Sequence, residues 1–193
     1  APDQIDPDTS LHWRQSAEFS GLHIGQLGIL MEVTGRWFDY PIRVQARQAT
    51  HVAERSLPDG SGMARVERPD AVSVLGELAN GGQFNLVLSG VSGGGGATTV
   101  EAFGTEGSLR FTLDTGAETG TLLLATAPDW APAEVEIDPA EAGGWRVEEE
   151  FIQAIREGRS GNPSWEESVR YMQFVEAVDI AARTGQVVAL KDV

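Results

Sequence analysis

The sequence contains no cysteine, and this absence excludes three kinds of site. A chain without thiols has no disulfide framework, no thiolate zinc site and no cysteine nucleophile. Histidine is also scarce: His12, His23 and His51 are far apart and lack the H-x-x-x-H spacing that places two metal ligands on one helical face. We therefore expect no metal site.

Basic residues are few, with 14 Lys and Arg against 29 Asp and Glu, so the formal net charge is −15. Such a charge repels phosphate backbones and anionic membrane surfaces, and we expect neither nucleic acid nor a membrane as a partner. Long apolar runs of membrane-spanning length are absent, as is a basic leader followed by an apolar stretch. We expect a cytoplasmic protein in which residues 1–10, rich in Pro and Asp, are a linker or a cut end.

Three recurrent functional motifs are missing. No G-x-G-x-x-G opens a helix, so we expect no dinucleotide-binding fold within this chain. The four glycines at 93–96 precede a strand-like segment instead of a helix, which favours a flexible connection over a phosphate loop. The G-x-S-x-G elbow of serine hydrolases is absent as well.

The residues that are present suffice for one globular domain. The chain has 193 residues, of which 41% are hydrophobic, and we predict a single domain over 11–193. Hydrophobic residues recur with helical spacing over 27–37 and again in the last fifty residues. From Pro41 they instead occur at every second residue, which is the spacing of a β-strand. This order predicts an α+β fold, an open and mostly antiparallel sheet of about six strands with helices packed on one face. Strands are predicted near 42–46, 70–80, 84–88, 98–103, 108–113, 121–125, 134–137 and 187–190.

The segment 27–37 combines an apolar face with two opposite charges. If it is helical, Glu32 and Arg36 share one face, and Pro41 prevents the helix from continuing. The residues expected to face the core are Leu27, Leu30, Met31 and Trp37. Most ion pairs of this spacing are solvated and contribute about 0.3–0.5 kcal/mol. A carboxylate pair for glycoside hydrolysis, formed by Glu32 with Glu18, Asp39 or Glu54, stays open because the sequence gives no separation.

Two helices are predicted near the C-terminus. The first carries an apolar stripe and ends at Gly158; the stripe consists of Val147, Phe151, Ile152 and Ile155. The second begins at the N-cap Ser164 and ends at Gly185. Its expected buried residues are Val169, Met172, Val175 or Ala177, Val178 and Ala182. Residues 54–62 are predicted to be a turn-rich loop of the kind that rims a site.

Several of these stretches resemble one protein family. The segments 147–159, 165–168 and 175–188 are similar to the C-terminal end of the glucose-fructose oxidoreductase, inositol dehydrogenase and rhizopine-catabolism (Gfo/Idh/MocA) family. Residues 100–109 resemble its strand-turn-strand hallmark, and the likeness runs in order from Trp13 to Leu190.

The resemblance implies an oxidoreductase built from two domains. An N-terminal Rossmann domain binds NAD or NADP, and a second α+β domain, like the C-terminal domain of glyceraldehyde-3-phosphate dehydrogenase, supplies the substrate pocket and the oligomer interface. This chain resembles only the second domain. The implied partners are its own Rossmann domain, a sugar or polyol substrate, and further copies of the chain bound through the sheet face.

The resemblance also implies site residues. Many members carry an Asp-x-x-x-His pair on the first helix of this domain, and Glu32 and Arg36 stand at those positions here. A glutamate can act as a general base, whereas an arginine stays charged and only donates and orients. Trp13, Arg14 and His23 are expected to line the substrate pocket. Two other functions stay open: a non-enzymatic binding or assembly module, and a cofactor-assisted glycosidase.

Overall fold

The computed structural model describes residues 6, 8–93, 96–114, 116–117, 119–138 and 146–193. These residues form helices and strands whose pairings are all antiparallel, which confirms the predicted α+β class. Two compact units are present, residues 1–93 with 150–193, and residues 94–149. Within the described residues the strands form two four-stranded sheets and a two-stranded ribbon, where one sheet of about six was predicted.

The first unit begins with a 3₁₀ turn at Trp13–Gln15, followed by α1 (Ala17–Ser20), α2 (Leu27–Phe38), β1 (Pro41–Ala49), β2 (Glu54–Ser56), β3 (Met63–Arg65), β4 (Ala71–Leu78) and β5 (Gln83–Ser89). The second unit contains β6 (Ala97–Phe103), β7 (Gly107–Asp114), β8 (Thr121–Thr126) and β9 (Ala133–Glu134). Helix α3 (Val147–Glu157) spans the boundary between the units. The chain returns to the first unit with α4 (Trp165–Thr184), β10 (Val188–Ala189) and a 3₁₀ turn at Leu190–Asp192.

The core of the first unit lies between its sheet and two helices. The sheet has the order β10-β1-β4-β5, and α4 lies against β1 while α2 packs on α4. Alternate residues of β1 and β4 point inward, and the side chains of Phe174 and Val175 on α4 meet them without solvent exposure. The strand residues buried there are Val44, Ala46, Val72 and Val74. Period-two burial on one face is what the sequence predicted for these strands.

Helix α2 begins and ends close to the predicted positions, but its buried face is narrower. The buried positions are Leu27, Gly28, Met31 and Gly35. The expectation that Trp37 faces the core is wrong, since its side chain is 49% exposed. Residue 37 is two positions beyond the buried Gly35, which turns it about 200° around the helix, away from the core.

The two C-terminal helices form where predicted, but their apolar residues are less buried than expected. On α3 the stripe of Val147, Phe151, Ile152 and Ile155 is exposed, and Ala154 is buried instead. On α4 the prediction for Val169 is wrong, because the first two turns lie outside the core and burial starts at Phe174. Its other buried apolar residues are Val175, Ala177, Val178 and Ala181.

Residues 54–62 are not only a loop. Their first part is β2, which pairs with β3 in a short ribbon, so the loop prediction is wrong for Glu54–Ser56. The ribbon holds the start of the described chain, because the buried Arg55 donates from Nη1 to the carbonyl oxygens of Asp6 (2.7 Å) and Thr9 (3.0 Å).

The second unit is a four-stranded sheet of the order β6-β7-β8-β9. The predicted turn between its first two strands is confirmed by the hydrogen bond from the Gly104 N–H to the Gly107 carbonyl, 2.8 Å. Strand β9 is shorter than the predicted 134–137 and begins one residue earlier. Of the four-glycine segment, Gly94 and Gly95 lie outside the described residues.

The N-terminus of α4 carries a complete capping box. The Glu167 N–H donates to Ser164 Oγ (3.2 Å), and the Ser164 N–H donates to Glu167 Oε2 (2.7 Å). We expect Ser164→Ala to lower the free energy of unfolding by about 1 kcal/mol, because the cap satisfies a helix N–H group that has no partner within the helix. Chemical denaturation measures the change. Ser160→Ala, at an exposed serine before the helix, should change stability by much less; equal losses would contradict the assignment.

Candidate functional site

Glu32 and Arg36 form an ion pair on α2, as their spacing predicted. Arg36 Nε donates to Glu32 Oε1 at 2.6 Å, and Arg36 Nη2 contacts the same oxygen. The Glu32 side chain is only 14% exposed, whereas that of Arg36 is 45% exposed. Both bonds use Oε1, and no hydrogen bond among the described residues engages Oε2. The pair therefore combines a mostly buried carboxylate, whose second oxygen has no hydrogen bond among the described residues, with a guanidinium at the surface.

Tyr40 lies beside this pair and is buried. Its ring covers Gly35, where an added Cβ would stand 2.8 Å from Tyr40 Cζ, so position 35 has no room for a side chain. Burial and the nearby Glu32 carboxylate raise the pKa of the Tyr40 phenol. The phenol consequently stays neutral at physiological pH and keeps a proton to donate. Sequence reasoning missed Tyr40, because its place before Pro41 indicates only that the helix has ended there.

Arg170 connects α4 to this end of α2. Its Nη2 donates to Asp39 Oδ1 at 2.7 Å, and its guanidinium carbon lies 4.4 Å from the centroid of the Tyr40 ring. The bond from the Tyr40 backbone N–H, followed by the bond from Arg170, holds the pKa of Asp39 below its usual range. Two guanidinium groups, carboxylates and one buried phenol are thus grouped around the C-terminal end of α2.

The charge of Glu167 belongs to the same group. The hydrogen bonds from Ser164 lower the pKa of Glu167, and Arg36 and Arg170 lower it further. We expect wild type to exceed Glu167→Gln in stability near neutral pH, because glutamine keeps an acceptor for the cap but loses the charge. Because the pKa of Glu167 is lower in the folded state than in the unfolded chain, its charge stabilises the folded state fully at pH values above the unfolded pKa of about 4.3. This stabilisation is lost as the pH falls through the pKa of the folded state.

Urea midpoints measured for both proteins from pH 7 downward test this expectation. The difference between wild type and Glu167→Gln should persist to about pH 4 and then disappear. A difference that does not change with pH would show that the carboxylate charge is not responsible.

His23 lies against the same helix. Its imidazole covers Gly28 in the first turn of α2, where an added Cβ would stand 3.1 Å from His23 Cε1. Gly28 and Glu32 are four residues apart and share a face, so the structure places the His23 ring one turn before Glu32.

Trp13 and Arg14 form a separate group on the first 3₁₀ turn. The Arg14 guanidinium lies 4.2 Å from the centroid of the Trp13 ring, and the His12 and Trp13 rings are 5.5 Å apart. Both side chains are exposed. Their described contacts are with each other and with His12, so the structure does not join them to Glu32 or Arg36.

Among the described residues, concave regions also lie away from these groups. A shallow groove of about 320 Å³ lies on the outer face of the first unit's sheet, and a smaller one of about 100 Å³ lies in the second unit. Neither is lined by a predicted site residue; the first is lined by Arg43, Gln45, Leu75, Glu77 and Asn85, and the second by Glu101, Phe103, Arg110 and Leu123. Among the described residues, no group of three possible metal ligands comes together, and no helix has the length and apolarity needed to cross a membrane.

Comparison with known proteins gives structural matches only. No family model matches the sequence, and neither does any curated protein. One solved structure similar to this chain is a levoglucosan dehydrogenase in complex with NADH and L-sorbose, with 24% identity over 97% of this chain and 56% of that one, at a TM-score of 0.82.

Two further structures have comparable folds. An NAD-binding oxidoreductase from Klebsiella pneumoniae is 19% identical over 97% of this chain and 56% of its own, at a TM-score of 0.78. An aldose-aldose oxidoreductase from Caulobacter crescentus in complex with glycerol is 19% identical over 95% of this chain and 51% of its own, at 0.73. The chain thus spans about half the length of the structures that it matches. Its fold is that of about half of each of these oxidoreductase chains, in agreement with the α+β domain that the sequence resemblance implied.

Proposed function

We propose that this chain is the substrate-binding domain of an NAD(P)-dependent oxidoreductase that acts on a sugar, a polyol or a related hydroxy compound. The observation that supports this most is the fold match. Nearly the whole chain matches about half of a levoglucosan dehydrogenase in complex with NADH and L-sorbose, and about half of an aldose-aldose oxidoreductase. The half-buried Glu32–Arg36 pair on the first long helix adds a chemical group suited to a hydroxyl substrate.

The dinucleotide is held by a second domain in this proposal. No G-x-G-x-x-G opens a helix in this sequence, so residues 1–193 do not fit the cofactor. Hydride transfer is the chemistry that a nicotinamide supplies when bound. The present chain binds and orients the substrate and handles the proton of its hydroxyl group.

Glu32 is the proposed general base. Its Oε2 carries no hydrogen bond among the described residues, while Arg36 holds Oε1 and so fixes the carboxylate. Arg36 remains charged and donates hydrogen bonds to a hydroxyl or carboxylate oxygen of the substrate. Trp13, Arg14 and His23 are the proposed binding residues, of which His23 lies on the same helix face as Glu32.

Sequencing the gene on both sides of this segment and assaying the full-length protein test the proposal. We expect a nucleotide-binding βαβ segment beyond residues 1–193 and reduction of NAD⁺ or NADP⁺ with at least one member of a panel of aldoses, polyols and anhydrosugars. A full-length protein that binds neither dinucleotide would refute the enzymatic role and favour a non-enzymatic binding module.

Assembly through the sheet is proposed as a second role. On the outer face of the first unit's sheet, Leu75 and Val87 are exposed beside the groove lined by Arg43, Glu77 and Asn85. Exposed apolar residues on an open sheet are typical of a face that pairs with another copy. Light scattering of wild type and of Val87→Asp tests this role. A multimer that dissociates in the variant is expected, and a wild-type monomer at micromolar concentration would refute it.

A further inference from the structure

Arg68 lies outside the proposed site but contacts the segment 13–23, which contains the proposed binding residues Trp13, Arg14 and His23. Its guanidinium Nη2 donates to the Leu22 carbonyl at 3.0 Å, and its Nε donates to the His23 carbonyl at 3.4 Å. Its backbone N–H donates to the Gln15 carbonyl at 3.1 Å. One residue therefore holds the segment at both ends, next to the Trp13–Arg14 turn and next to the ring of His23.

The neighbouring Glu67 adds two further bonds to the same segment. Its N–H donates to the Gln15 carbonyl at 2.9 Å, and its Oε2 accepts from the Ala17 N–H at 2.7 Å. Between these attachments the only regular element of the segment is the four-residue helix α1, and Gly21 has a positive φ value of 57°. A segment with so little regular structure depends on outside contacts for its position.

Arg68 is in turn fixed by α4. Its Nη2 lies 3.7 Å from Asp179 Oδ1, and the two side chains are only 13% and 10% exposed. A guanidinium with so little solvent exposure needs an opposite charge and carbonyl acceptors. Asp179 supplies the charge, and the carbonyl groups of Leu22 and His23 accept the hydrogen bonds. The other oxygen of Asp179 accepts from Arg183 Nε at 2.8 Å, but the Arg183 side chain is 64% exposed.

We propose that Arg68 is the positioning residue of the substrate-binding segment. By tying the Leu22 and His23 carbonyls to Asp179, its side chain sets where the His23 imidazole rests on α2. The bond to Gln15 comes from its backbone N–H and is kept when the side chain is replaced. The consequence for substrate binding rests on the proposed function, whereas the positioning of the segment does not.

Hydrogen–deuterium exchange of the full-length protein tests the positioning directly, with Arg68→Lys, Arg68→Met and Arg183→Met compared with wild type. In both Arg68 variants we expect amides within 21–25, next to the two carbonyls that lose their donor, to exchange about tenfold to a hundredfold faster, while those of β4 stay protected. Lysine should restore part of the protection, because it keeps the charge without the planar fork. Arg183→Met removes the other arginine bound to Asp179 and should leave this segment protected.

The kinetic consequence is a KM effect. With the best substrate from the panel, the Arg68 variants should raise KM at least tenfold and change kcat less, because the residue does not touch the reacting atoms.

The positioning role would be overturned if exchange in Arg68→Lys matched wild type, if Arg183→Met gave the same deprotection, or if exchange rose equally throughout the unit. Should the protein lack oxidoreductase activity altogether, the proposed function would fail while the exchange experiment would still decide the role of Arg68.

Discussion

Replacing Glu32 with glutamine should lower kcat of the full-length protein about 100- to 10,000-fold, the usual contribution of a general base. Glutamine has nearly the same shape and retains an acceptor for Arg36, so the helix and its i,i+4 contact are preserved. The side chain loses the ability to take a proton, and turnover rather than substrate binding should suffer. Steady-state kinetics with the best substrate from the panel, with NAD⁺ and with NADP⁺, measures both parameters.

The matched control is Glu101→Gln. Glu101 also pairs with an arginine, Arg110, at 2.6 Å, but it lies on the sheet of the second unit and has no place in the proposed chemistry. Its substitution should leave kcat within about twofold of wild type, in line with the small effect of most surface changes. A Glu32→Gln enzyme as active as Glu101→Gln would show that the ion pair on α2 only stabilises the helix.

Truncation of Phe174 to alanine should lower the free energy of unfolding by about 3–5 kcal/mol. Its side chain has 0% exposure and lies where α4 meets the sheet and α2. Removal of the ring loses its transfer free energy and leaves a cavity that the rigid strands of the sheet cannot fill. Since a domain is stable by only about 5–15 kcal/mol, a large part of the total would be lost. Urea denaturation of the full-length protein, followed by circular dichroism, measures the change.

Phe103→Ala provides the comparison, because Phe103 is 79% exposed on β6. It removes the same ring without opening a cavity and should change stability by less than about 1 kcal/mol. Similar losses from the two substitutions would mean that the interface between α4 and the sheet is not the centre of the core.

Local signals in the sequence predicted α2, β1, β4, β5 and α4 of the first unit, but not α1 or the β2–β3 ribbon. Pro41 prevents α2 from continuing, and the period of two identifies β1 and β4. Ser164 and Gly185 mark the ends of α4. Both ends are predictable from sequence, because an N-cap side chain and a glycine with left-handed backbone depend only on the local residue type.

Burial was predicted less well, because periodicity identifies a face but not what covers it. The stripe of α3 has the expected spacing, yet Phe151 and Ile155 are exposed. Val169 lies on a helix whose first turns extend past the core. The division of the strands between two sheets depends on pairings between distant residues, which no local pattern contains.

The residues of the candidate site also fall into those that the sequence predicted and those that it did not. The Glu32–Arg36 pair follows from spacing along one helix, so the sequence predicted it. Tyr40 contacts Arg170, and Arg68 pairs with Asp179. Each contact joins residues distant in the chain, and no sequence motif marks it. A partly buried arginine next to a buried acidic residue of a core helix becomes a recognisable signal only after the fold is known.

Strand β5 has a practical consequence for work with this protein in solution. It forms one edge of its sheet, and among the described strands only β4 pairs with it, so the backbone groups of its outer edge are not paired within the sheet. Val87 on this strand is exposed. Such an edge is a template for strand addition by another molecule. The net charge of −15 keeps molecules apart at low ionic strength, but at 1 M salt the Debye length shrinks to about 3 Å. Salting-out and high-salt chromatography should therefore promote aggregation of this protein, and dilute buffer should prevent it.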